Sequence, residues 1–362
     1  MLLVAQELGQ GGSERQLAAT AMGLRGGRFQ PHVGTLRPGG FRLRELREAG
    51  VASACFPLPS FTRPAALARA GWGLRNYVRR NGIGIVHSYD APGNVVAAPA
   101  AYGAVRVITS QRAYRELAPG WMRPLLRMTD RLADRIVVNC RAIERHLVEQ
   151  EGVRADKIRL CYNGIDVERF RPEGRERPAA LRGAELTVGV VCALRPEKDL
   201  ATLAEGFARG WMERPEMRLV VVGSGPEREP MERRLTELGV RGAAHFEPST
   251  ADVAPWLRGI DIFVLPSKSE ALSNALMEAM ACGCVAVASA VGGNPELVRE
   301  GETGLLFPAG DAEALAGCLL LLARETEQRQ RMAARAQRRM ETEFTLSGAA
   351  KRMEEIYAEV LE

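Results

Sequence analysis

Short apolar runs recur along the chain, and each is followed by a stretch of helical period. They are Met1-Leu2-Leu3-Val4-Ala5, Ile85-Val86-His87, Arg106-Val107-Ile108-Thr109, Arg135-Ile136-Val137-Val138, Leu186-Thr187-Val188-Gly189-Val190-Val191, Leu219-Val220-Val221-Val222, Ile260-Asp261-Ile262-Phe263-Val264-Leu265 and Val285-Ala286-Val287-Ala288. Apolar strands alternating with helices predict an α/β fold of doubly wound parallel sheets covered on both faces. Ser13, with Gln16 three residues on, predicts a capping box at the first helix. A helix is expected to begin near Ser273, and a last one to run from about Ser347 to Leu361. Residues 171–178 are polar and rich in Pro and Gly, and read as a linker between two domains, 1–170 and 171–345.

Composition sharpens this picture. The 362 residues are 46% hydrophobic and 26% charged, which suits two globular domains and excludes a disordered chain. Residues 1–168 hold 24 Arg and Lys against 14 Asp and Glu, while the remainder holds 25 against 30. The basic half points to an anionic membrane surface, an acidic acceptor or nucleic acid. Few aromatics and no nucleic-acid module speak against the last. Residues 72–80, and 121–127 with Arg131, are amphipathic and basic. They read either as surface helices with solvated arginines or as a peripheral contact of the N-terminal domain with an anionic membrane. Seven cysteines without a CxxC pair suggest a reducing cytoplasm, and four scattered histidines show no metal site. No signal peptide and no apolar run of ~20 residues is seen, so the expected location is cytoplasmic, with the cytoplasmic membrane face as the docking alternative.

The chemistry concentrates in Ser267-Lys268-Ser269-Glu270-Ala271-Leu272-Ser273-Asn274-Ala275-Leu276-Met277-Glu278-Ala279-Met280-Ala281-Cys282-Gly283. Polar residues follow an apolar strand, and a helix follows them; in an open α/β sheet, ligands bind there. Helix-start amides favour phosphate. Eight residues separate Glu270 from Glu278, ~12 Å if helical, which is the reach of a sugar diphosphonucleoside. Each glutamate alone also fits a solvated surface position.

The string resembles the E-x7-E signature of the retaining family 4 glycosyltransferases. Other segments match that family in order: Gln6 to Glu14 with Gly11 and Gly12, Asn163-Gly164-Ile165-Asp166 with Phe170 and Pro172, Arg195-Pro196-Glu197-Lys198, Val222-Gly223-Ser224-Gly225-Pro226, Ala290-Val291-Gly292-Gly293-Asn294-Pro295-Glu296-Leu297-Val298, and Gly304-Leu305-Leu306. Phe344 and the final helix match a closing segment that returns to the first domain, giving 346–362 as a third piece. The resemblance implies the GT-B fold, two Rossmann-like domains facing a cleft.

It also implies roles. Glu270, Arg195 and Lys198 are the expected catalytic set. Glu270 binds the transferred sugar, and the two cations take up the charge released on the diphosphate. Gly11, Gly12, Gly223, Ala271, Leu272, Ser273, Asn274, Ala275 and Glu278 are expected around the donor, with Glu278 on the ribose. Tyr89, Asp90 and Arg112 are placed on the acceptor side. Tyr89 stands where the family often has a second histidine, which leaves His87 a structural residue. Glu247-Pro248 stands where the family often has a glycine near the base. The implied reaction is retaining transfer of a hexose-type sugar to a saccharide or lipid-linked acceptor in cell-surface glycan synthesis. The co-substrate is a nucleoside diphosphate sugar, UDP-linked in preference to GDP-linked, with no cofactor and no metal. A sugar-nucleotide epimerase of the same fold, or an inactive GT-B binding scaffold, is the alternative.

Overall fold

The computed structural model describes residues 1–9, 11–173 and 178–362. Gln10 of the glycine-rich loop and residues 174–177 of the expected linker lie outside the described residues. Two compact units appear: Met1–Gly164 with Leu346–Glu362, and Ile165–Thr345. The division expected after residue 170 falls at Gly164–Ile165. There Ile165 bridges to Thr345, and its N–H bonds the Phe344 carbonyl at 2.8 Å.

In the first unit β1 (Leu2–Ala5), β2 (His32–Thr35), β3 (Ala52–Cys55), β4 (Ile85–Ser88), β5 (Arg106–Gln111), β6 (Arg135–Val138) and β7 (Ile158–Leu160) form a sheet of order β3-β2-β1-β4-β5-β6-β7. In the second, β8 (Leu186–Val191), β9 (Met217–Val222), β10 (Ala244–Glu247), β11 (Ile262–Leu265), β12 (Val285–Ser289) and β13 (Gly304–Phe307) give β10-β9-β8-β11-β12-β13. Every described strand pair is parallel. The strand order reverses between β1 and β4 in one sheet and between β8 and β11 in the other. Such switch points leave a crevice at the strands' carboxyl ends.

The central strands are buried, as continuous apolar runs require. In the first unit, Leu3, Val33, Ile85, Ile108 and Val137 share a core with Met353, Ile356, Tyr357 and Val360 of the last helix, Leu346–Leu361. That helix lies so close to Gly12–Gly23 that a Cβ at Gly23 would sit 2.6 Å from the Ala350 Cβ. In the second unit, Val188, Val190, Leu219, Val221, Val264 and Val287 form the matching core.

The first helix corrects the capping expectation. It starts at Gly12, with Gly11 as its cap and no side-chain cap bond. Gln16 is buried and exchanges two bonds with Gly164, Nε2 to the carbonyl at 2.9 Å and the Gly164 N–H to Oε1 at 3.0 Å. Two otherwise unsatisfied backbone groups claim the amide more strongly than an exposed helix end does.

Candidate active site

At the switch point of the second sheet, two loops are stitched together. One follows β8 and runs through Arg195 and the short 3-10 turn Pro196–Lys198 into the helix Leu200–Glu213. The other follows β11 through Ser267 to Glu270. Lys198 Nζ donates to Glu270 Oε2 at 2.5 Å. The Lys268 N–H bonds the Glu197 carbonyl at 2.9 Å, and Lys268 Nζ lies 3.0 Å from Asp199 Oδ1. Asp199 is buried and left-handed at φ 47°, and Thr202 Oγ1 donates to its other oxygen at 2.7 Å. A left-handed Asp carries local strain, which these bonds sustain at the mouth of the crevice.

The Lys198 and Glu270 side chains are 17% and 14% exposed, so the pair is sheltered but reachable. Burial alone would depress the Lys198 ammonium; the Glu270 carboxylate outweighs burial and holds its pKa above the usual lysine range. The lysine therefore stays charged at neutral pH. Arg195 is exposed, and its guanidinium has no partner among the described residues. One cation is thus held in place and a second is available beside it.

Ser273 caps the helix Asn274–Ala281, its Oγ accepting from the Leu276 N–H at 3.2 Å. Asn274 and Ala275 make up the first turn, half-buried, and Ala271 and Leu272 are buried under the approach. Glu278 is buried one helical turn further on.

Two glycine turns back these loops. Gly292, φ +54°, lies so close that a Cβ would fall 1.6 Å from the Glu270 carbonyl oxygen, and the Gly293 N–H bonds the Ala271 carbonyl at 2.7 Å. A Cβ on Gly223, φ +148°, would meet the Cys192 carbonyl at 1.9 Å; one on Gly225, φ +154°, would meet the Leu194 carbonyl at 2.3 Å. Leu194 immediately precedes Arg195, so this turn supports the loop carrying the free cation.

In the first unit, Asp90 follows β4. Its carboxylate accepts the Gln6 N–H at 2.7 Å and the Gly93 N–H at 2.6 Å, tying the glycine-rich loop after β1 to the start of the helix Ala91–Ala101. The reading of Tyr89 as an acceptor-side residue needs correction. Its side chain is fully buried, and the Arg112 guanidinium covers its ring at 4.8 Å. A phenol supports an arginine there; it lines no surface. Arg112 also donates to Asn163 Oδ1 at 2.8 Å. His87 is buried between Tyr357 and Ser110, at 2.7 and 2.8 Å, and burial with the nearby Arg112 charge holds it neutral, well below the usual histidine range. Among the described residues no group of three or more His, Cys, Asp or Glu is placed to hold a metal.

Comparison with known proteins agrees with this geometry. A family model described as Glycosyltransferase Family 4 matches residues 10–169, and one described as Glycosyl transferases group 1 matches residues 175–339. The chain belongs to the family 4 glycosyltransferases. A D-inositol 3-phosphate glycosyltransferase from Thermomonospora curvata is 31% identical over 300 residues, 76% of this chain and 65% of that protein. The sulfoquinovosyl transferase SQD2 of Arabidopsis thaliana is 28% identical over 77% of this chain and 58% of its own length. The chain thus spans somewhat under two thirds of these relatives. Among solved structures, Anabaena Alr3699/HepE with UDP-glucose gives a TM-score of 0.87 at 20% identity, covering 99% of both chains. Sucrose-phosphate synthase from Thermosynechococcus elongatus gives 0.84 at 18%, covering 99% of this chain and 98% of that one. The fold is GT-B.

Within this family 4 chain, Asp199 and Gly292 as supports of the Lys198–Glu270 pair escaped sequence reasoning. Gly292 lies in the segment Ala290–Val298, whose pattern gives it no role, and nothing in the sequence marks Asp199. Asp90 yields a pH prediction. Burial lifts its carboxyl to about 6, against the two N–H bonds that lower it and with Glu14 and Glu7 adding to the rise. The folded pKa exceeds the unfolded value of ~3.9, so Asp90 favours folding fully below pH ~3.9, and that contribution is lost as pH rises to about 6. The difference is about 3 kcal/mol. Asp90→Asn carries no charge to bury. Urea unfolding at pH 4 and at pH 7 should show the variant gaining on wild type by about that amount at the higher pH. Parallel pH profiles for the two proteins would contradict it.

Proposed function

We propose that this chain is a retaining hexosyltransferase that moves a sugar from a UDP-sugar to a saccharide or lipid-linked acceptor in cell-surface glycan synthesis at the cytoplasmic side of a membrane. The observation that carries this is the charged Lys198 held on Glu270, with the exposed Arg195 three residues earlier in the same loop and the helix Asn274–Ala281 starting four residues after Glu270. Breaking a sugar–diphosphate bond leaves negative charge on the β-phosphate. Lys198, Arg195 and first-turn amides are the groups that lower the cost of that charge. The same cations stand in for a divalent metal. Glu270 accepts from hydroxyls of the sugar, and Glu278 from those of the ribose.

In this reading C1 loses its bond to the β-phosphate and gains one to the acceptor oxygen on the same face. The acceptor proton passes to the departing phosphate, and no side chain forms a covalent intermediate. The second unit holds the donor and the basic first unit the acceptor, with Asp90 fixing the Gly11–Gly12 loop and Arg112 on the acceptor side. The UDP and UDP-glucose bound by HepE support the choice of donor. The relatives named for inositol phosphate and sulfoquinovose transfer support anionic chemistry at one of the two substrates.

The test is a panel of UDP- and GDP-hexoses with a cell-extract acceptor pool, read by mass spectrometry of the product and proton NMR of the new linkage. The expected product forms from a UDP-hexose, needs acceptor, and keeps the donor's anomeric configuration. Inversion, or an epimer formed without acceptor, would defeat the proposal.

A further inference from the structure

In the first unit, the 3-10 turn Gly120–Met122 runs into the helix Arg123–Leu132. At 100° per residue this segment carries two separate apolar stripes. Met122, Leu126 and Thr129 face inward and are buried. Trp121, Leu125, Met128 and Leu132 form a second stripe at i, i+4, i+7 and i+11; Trp121 is 51% and Met128 40% exposed, while Leu125 and Leu132 are half-buried, Leu125 against Val95, Met122 and Leu126. Arg123, Arg127 and Arg131 run alongside it, all exposed. Phe61 extends the apolar strip, its ring 5.7 Å from that of Trp121, and Leu117 beside the turn is half exposed.

The charges around this strip are almost all of one sign. Residues 61–133 contain eleven arginines and three acids, Asp90, Glu116 and Asp130. Asp90 is occupied by two backbone N–H groups, and Asp130 is buried against Arg115 at 2.6 Å. Glu116 is exposed near His146. Glu151, from the following helix region, answers Arg127 at 2.8 Å and Arg115 at 3.5 Å, and among the described residues Arg123 and Arg131 have no acid partner. The helix packs against Ala91–Ala101, which packs in turn against Pro64–Arg80, bearing Arg69, Arg75, Arg79, Arg80 and the exposed Trp72.

We propose that the exposed Trp121 and Met128, with the half-buried Leu125 and Leu132 between and beyond them, are a docking surface for an anionic lipid bilayer. The apolar stripe enters the interface while the flanking arginines stay at headgroup level, an arrangement in which both halves of the helix's wet side gain. A second copy of the chain fits poorly, since a two-fold contact would set arginine rows against each other. No helix among the described residues is long and apolar enough to cross a membrane, so such a contact is peripheral.

The test is co-sedimentation of the full chain with vesicles of phosphatidylcholine alone and of phosphatidylcholine with phosphatidylglycerol. Binding is expected only to the anionic vesicles, falling with added salt and accompanied by a blue shift of tryptophan emission. Trp121→Ser with Met128→Ser, and Arg123→Glu with Arg131→Glu, should each weaken it about tenfold or more. Neither pair should alter the melting shift produced by UDP, which reports the separate donor reading. Equal binding to neutral vesicles, variants that bind like wild type, self-association through this face, or capture by a soluble acidic polymer but not by vesicles would each overturn the proposal.

Discussion

Replacing Lys198 with alanine should lower kcat/KM for sugar transfer by about two to three orders of magnitude while the protein stays folded. A fixed cation aimed at a leaving phosphate does most of its work in the transition state, where charge is greatest. On the proposed reading Lys198 meets that description, because Glu270 and the stitched loops hold its ammonium in one place, sheltered from most of the solvent. Stability should change by less than about 2 kcal/mol, since both groups keep some access to water. Lys198→Arg should recover part of the rate by restoring the charge at a different length. The measurement is steady-state kinetics at saturating donor, with a thermal melt as control. A variant within threefold of wild type would remove Lys198 from the mechanism.

Gly292→Ala should displace the loop that carries Glu270 and, on the proposed reading, silence transfer, at about 2–4 kcal/mol of stability. Two costs combine: a left-handed φ of +54°, and a methyl placed 1.6 Å from the Glu270 carbonyl oxygen. The second cost falls on backbone, which cannot rotate away like a side chain. Gly310→Ala separates them, for Gly310 is also left-handed at +79° but has nothing within 4 Å. That control should lose only about 1 kcal/mol and keep its activity. If chemical unfolding and kinetics placed the two variants together, Gly292 would be an ordinary turn glycine.

How much of this was legible in the chain depended on the length of each signal. Strands such as Leu186–Val191 and Arg135–Val138 are continuous apolar runs, and their bounds were readable from the sequence. β3 was not visible, because Ala52–Cys55 is an edge strand of small, partly exposed residues with no apolar run to read. The run from Ile260 is two residues shorter as a strand. Asp261 bonds both neighbouring strands through its backbone just before the strand starts, and its carboxylate takes the Thr187 N–H at 2.8 Å. The capping box failed because Gln16 had a distant buried partner that local spacing cannot reveal. Tyr89 failed for a similar reason. A residue at a strand's carboxyl end points either into the crevice or into the core, and only packing beneath Arg112 and beside Tyr357 decides. At the loops after β8 and β11, the string from Ser267 to Gly283 marks Glu270 and Glu278, but not the bonds that fasten one loop to the other.

A crystal structure of the chain with UDP decides whether Lys198 and the helix Asn274–Ala281 hold the diphosphate. The diphosphate is expected at the amino end of Asn274–Ala281, with Lys198 Nζ within about 3 Å of a β-phosphate oxygen and the ribose toward Glu278. UDP bound elsewhere, with Lys198 still closed on Glu270 and that helix end unoccupied, would contradict it.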